Sequence, residues 1–132
     1  MWLCAFCVTV RLRFTSATNS TAASGGVSAA IQAARAAVAK GTKLEVEVDT
    51  LAQLDEALEI GVDQVLLDNM NPAQLKEAVA RVRGRAITEA SGSITAETAG
   101  PIAESGVDLL SVGWITHSAP CLDLGLDFKS GL

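Results

Sequence analysis

The chain has 132 residues, 49% of them hydrophobic and 19% charged, with a mean hydropathy of +0.34. That suits one modest domain and is too apolar for a disordered polyampholyte. Ten basic against fifteen acidic residues leave a net charge of −5, which argues against nucleic-acid binding by counterion release, and an aromatic content of 4% argues against base stacking.

The apolar start, residues 1–14, does not read as a signal peptide, because Arg11 and Arg13 follow the apolar run instead of preceding it. No apolar run approaches the roughly 20 residues that span a bilayer, so no membrane contact is expected and the cytoplasm is the expected compartment. Cys4 and Cys7 form a lone CxxC and Cys121 is remote, a pattern without a second pair or nearby histidines to hold a metal. Residues 15–26 are Ser, Thr, Ala, Asn and Gly and read as a linker. The expected division is an irregular segment over 1–26 and a domain over 27–132.

From Val27 four helical patterns run to Gly41, Gly61, Gly84 and Gly106, and β-rich runs follow at 44–48, 64–67, 86–88 and 109–112. Thr50 and Gln53 have capping-box spacing, and Asn71-Pro72 is an N-cap followed by proline at the first helical position. Leu75, Ala78, Val79 and Val82 repeat at helical spacing. Gly100 and Pro101 fall inside the last helical pattern and predict a kink or a short first segment. Arg81, Arg83 and Arg85 end a helix and suit its negative pole. The fold class is α/β: four βα units with a parallel sheet, part of an open (βα) barrel. Half a barrel leaves two open strand edges, which predicts self-association or incomplete folding for this chain alone.

In βα folds the chemistry gathers at the carboxyl ends of the strands. Glu47, Asp68 and Glu89 recur 21 residues apart at those ends. Paired carboxylates there can hold Mg²⁺ through its waters or accept hydrogen bonds from sugar hydroxyls, and the plain reading of each is a solvated strand end or helix cap. Ser91-Gly92-Ser93 and Gly113 with His117 follow the last two strands, where backbone N–H groups and a helix N-terminus commonly bind phosphate. His117 reads equally as a turn cap, and no acid nearby in sequence makes it a base. Asn69 reads as a loop-holding residue.

Taken in order, residues 45–49 (EVEVD), 66–70 (LLDNM), 89–92 (EASG), 111–113 (SVG) with 116–118 (THS), and the tail 122–127 resemble the carboxyl-terminal part of quinolinate phosphoribosyltransferase over residues 27–128. The resemblance implies a type II phosphoribosyltransferase that combines quinolinate with phosphoribosyl pyrophosphate, using Mg²⁺, and releases nicotinate mononucleotide, CO₂ and pyrophosphate. It implies an open α/β barrel with an amino-terminal sandwich domain, paired as a homodimer. It also implies that Glu47 and Asp68 face the ribose hydroxyls and the metal-bound pyrophosphate. Ser91, Gly92, Gly113 and His117 are then expected to line the 5′-phosphate site.

The chain departs from the family at three places. The basic quinolinate-binding set lies upstream of the matching region in the family, where residues 1–26 here contain no lysine and no histidine. Ser93 stands in place of a second glycine, and Trp114 in place of a small residue, where its indole is expected to crowd the phosphate loop. Missing cations predict no turnover by this chain alone, since both substrates are anionic. The competing readings are a non-catalytic truncated remnant or oligomer partner, and another phosphate-binding βα barrel of the thiamine-phosphate-synthase kind.

Overall fold

The computed structural model describes residues 26–113 and Ile115. Helices and strands alternate as α1 (Val27–Ala37), β1 (Glu45–Val48), α2 (Leu51–Ile60), β2 (Gln64–Asp68), α3 (Pro72–Val82), β3 (Ile87–Ser91), α4 (Ala96–Ala103) and β4 (Leu109–Leu110). The strands form one parallel sheet in the order β1-β2-β3-β4. Successive neighbours joined by right-handed crossovers place all the connecting helices on one face, so the opposite face becomes the inside of a barrel wall. No helix among the described residues is long and apolar enough to cross a membrane.

The helix starts follow from their caps. Thr50 and Gln53 close a reciprocal capping box at α2, as their spacing predicts. Asn71 does the same with Gln74 ahead of Pro72 at α3, and Thr95 with Thr98 at α4, two boxes the sequence reading did not pick out. At the helix ends, α2 stops on Gly61 at φ 89°, a left-handed conformation that glycine adopts without a Cβ penalty. Pro101 lies inside α4, and the helix ends at Ala103. Arg83 and Arg85 turn back onto the last α3 carbonyls, of Ala80, Val82 and Arg81, while Arg81 pairs with Glu77 and Asp55. These are the structural roles expected at a helix carboxyl end.

The core lies between the sheet and its helices. Val48, Val65, Leu67 and Ala90 point from the strands into it and meet Leu54, Ala57, Leu75, Ala78 and Val82 from α2 and α3. Alternation then sends Glu45, Glu47, Gln64, Leu66, Asp68, Glu89 and Ser91 to the opposite, inner face. Leu66 is buried there outside the main core, with its register partners Glu47 on one side and Glu89 on the other.

The amino ends of the strands are closed by a repeated device. In Gly61-Val62-Asp63 the Asp63 carboxylate accepts from the Leu44 N–H at 2.8 Å and from Arg35 at 2.8 Å. In Gly106-Val107-Asp108 the Asp108 carboxylate accepts from the Thr88 N–H at 2.8 Å and the Thr88 hydroxyl at 2.7 Å. The Leu44 N–H holds the Asp63 carboxyl below its usual range, and the Thr88 N–H followed by its hydroxyl does so for Asp108.

Candidate functional site

At the carboxyl ends of β1 and β2, Glu47, Asp49 and Asp68 each offer a carboxylate oxygen within 4.8 Å of the others, and none of the three is buried. Glu47 and Asp49 share the inner face because they are two residues apart on an extended chain. Asp68, the last residue of β2, pairs in register with Ser91 of β3, one step beyond the level at which Glu47, Leu66 and Glu89 align. Two unit charges about 4 Å apart repel by about 1 kcal/mol even in water, so such a trio favours a cation or a set of hydroxyl donors over its own company. Hard oxygen ligands in this number suit a divalent ion such as Mg²⁺ that keeps part of its water shell. Asp49 did not emerge from the sequence reading, although an acid two residues after Glu47 was the available signal.

Glu89 does not join this rim. Sequence pattern had ended the third strand at residue 88, whereas β3 runs from Ile87 to Ser91 and leaves Glu89 at its middle, 1% exposed. Its carboxylate accepts from Gln64 Nε2 at 2.5 Å and from the Ser111 hydroxyl, and Gln64 also donates to Glu45 at 3.3 Å. The result is a polar layer from Glu45 of β1 through Gln64 of β2 and Glu89 of β3 to Ser111, just past β4. A buried carboxylate is retained only with such donors around it.

Beyond β3 and β4 lies an open cleft of about 380 Å³ lined by Ser91, Gly92, Ser93, Ile94, Thr95, Ser111 and Gly113. It opens onto the N-terminus of α4, whose dipole favours an anion, while the Thr98 N–H is already capped by Thr95 and the Glu97 carboxylate, bonded to the Thr95 hydroxyl, sits in the same first turn. Gly92 is required here: its φ is +96°, and a Cβ would overlap the Asn69 side chain and stand 2.8 Å from the Asn69 nitrogen. Ser93 also adopts a left-handed conformation, φ 47°, which explains physically why glycine suits this position.

Of the residues singled out from sequence, the structure therefore gathers Glu47 and Asp68 in one acidic cluster, and Ser91, Gly92 and Gly113 around one cleft on the same rim. His117 and Trp114 lie outside the described residues, so the expected phosphate contact and the expected crowding stay expectations. Thr95 and Ser111 line the cleft without having been anticipated; their signal is position, one at a helix cap and one just past a strand.

The sequence profile of the family described as "Quinolinate phosphoribosyl transferase, C-terminal domain" matches residues 11–127, beginning ahead of the boundary drawn at Val27. The chain is 46% identical over 112 residues to the nicotinate-nucleotide pyrophosphorylase (carboxylating) of Mycobacterium leprae, covering 83% of this chain and 39% of that protein. Against the human protein of the same name the identity is 37% over 111 residues, with coverage of 82% and 37%. In three dimensions it resembles the crystal structure of nicotinate-nucleotide pyrophosphorylase from Ehrlichia chaffeensis with a TM-score of 0.72 and 38% identity, covering 76% of this chain and 36% of that one. The chain thus spans well under half the length of the relatives it matches.

Proposed function

Because the chain belongs to the quinolinate phosphoribosyltransferase family, we propose that it carries the ribose- and phosphate-binding half of that family's barrel and acts on phosphoribosyl pyrophosphate. The observation that carries the reading is the adjacency, on one rim, of an acidic trio and an anion-favouring cleft. Ribose presents hydroxyl donors that suit carboxylates, and its 5′-phosphate suits backbone N–H groups at a helix N-terminus. Glu47 and Asp68, with Asp49 beside them, are then assigned to the ribose hydroxyls and to a Mg²⁺ ion. A divalent ion held by these carboxylates would supply positive charge against a pyrophosphate leaving group. Ser91, Gly92, Gly113 and His117 are assigned to the 5′-phosphate.

Completed, the reaction joins quinolinate to the phosphoribosyl group and releases CO₂ and pyrophosphate, giving nicotinate mononucleotide for NAD biosynthesis. The homodimer and the cytoplasmic setting implied by the family resemblance belong to the same reading.

The test is a titration of the purified chain with phosphoribosyl pyrophosphate and Mg²⁺, followed through its backbone amide resonances. Shifts concentrated at Gly92, Ser93 and Thr95, and weakened about tenfold or more by the Glu47→Gln, Asp68→Asn double variant, are expected. Binding that leaves those amides unmoved would remove the assignment.

A further inference from the structure

We propose that Asn69 is a positioning residue that sets the spacing between the acidic rim and the phosphate cleft; this rests on the ribose-phosphate reading above. Asn69 follows the last residue of β2 and takes a left-handed conformation, φ 52°. Its side-chain amide donates to Asp68 Oδ2 at 2.6 Å, and its backbone N–H donates to the Ser91 carbonyl at 2.9 Å. On the other side its Oδ1 lies against Gly92, where any Cβ would overlap it. One exposed side chain therefore touches the rim carboxylate and the first glycine of the cleft at once, while its backbone binds the end of β3.

The consequence is particular to a ligand that reaches both places. A ribose phosphate fixes the separation of its hydroxyls from its phosphate by covalent geometry. Its affinity then depends on the register between Asp68 and Gly92, which preorganisation supplies before binding. Inorganic phosphate occupies the cleft alone and does not sense that register. An isolated loop-stabilising role for Asn69 would act on both ligands alike.

The experiment compares ribose 5-phosphate with inorganic phosphate on the full chain, wild type against Asn69→Gly and Asn69→Asp. Glycine keeps the left-handed backbone and deletes the side chain. Aspartate keeps the shape against Gly92 and replaces the donor to Asp68 with a repelling charge. The wild type is expected to bind ribose 5-phosphate more tightly than phosphate. Both variants are expected to lose about tenfold for ribose 5-phosphate while phosphate binding changes less than about twofold.

Equal losses for the two ligands would show a merely structural residue and overturn the inference. So would an unchanged ratio in either variant, and Asn69→Asp serves if Asn69→Gly folds poorly. A wild type that binds neither ligand overturns the ribose-phosphate reading itself, and the role of Asn69 falls with it.

Discussion

Asp63 and Asp108 stand at the amino ends of strands, and Glu47, Asp49 and Asp68 at the carboxyl ends, on the same small sheet. At the amino ends each aspartate accepts backbone N–H bonds from the neighbouring strand, so its charge is spent on holding β1 to β2 and β3 to β4. At the carboxyl ends three carboxylates face one another within 4.8 Å. The first arrangement is what folding selects. The second sets like charges side by side, with Asp68 held by the Asn69 amide, an arrangement that a cation or hydroxyl donors would favour. The difference teaches that an acid's residue type says little until the backbone groups around it are known.

The sharpest way to break the comparison is Asp108→Ala. Thr88 is 2% exposed, and the substitution strips the partner from both its N–H and its hydroxyl. Leaving buried donors unsatisfied costs about 1–3 kcal/mol, so urea unfolding should show a loss of about 2 kcal/mol. A loss below about 0.5 kcal/mol would place Asp108 with the rim acids.

Acid titration separates the two ends next. The folded-state carboxyls of Asp63 and Asp108 lie below their unfolded values, so the stability they contribute is complete above the ordinary aspartate range near pH 4 and is lost as pH falls through the lowered values. Melting temperature should therefore fall on acidification below about pH 4, and less steeply in Asp108→Asn than in the wild type. An identical slope would remove the linkage.

The smallest effect belongs to the rim. Glu47→Gln and Asp68→Asn each remove one charge from a repelling set, so each should leave stability unchanged or raise it by up to about 1 kcal/mol. Destabilisation by more than that in a thermal melt would mean that these carboxylates, too, hold the fold together.

Much of this arrangement was legible in residue order. Thr50 with Gln53 and Asn71 with Pro72 announce their helices through local bonds that need no distant partner. Glu47 and Asp68 both come to the carboxyl rim of the inner face, yet equal spacing in sequence is not equal height: Leu66 and Glu89 stand level with Glu47, and Asp68 lies two residues further along its strand. The course of β3 was less legible: Glu89, Ala90 and Ser91 are weak strand formers, and pairing with Leu66, Leu67 and Asp68 extends the strand over them.

By itself, then, the sequence determined the βα alternation, the capped helices, the family and the strand ends at which chemistry gathers, because all of these rest on short-range periodicity and on motifs in fixed order. Only the tertiary structure decided which acids meet. It buried Glu89 beneath Gln64 and Ser111, set Asp49 beside Glu47 and Asp68, and laid Asn69 against Gly92. Each of those contacts joins residues from different strands or loops, and its geometry is fixed by sheet register and burial, which no local pattern encodes.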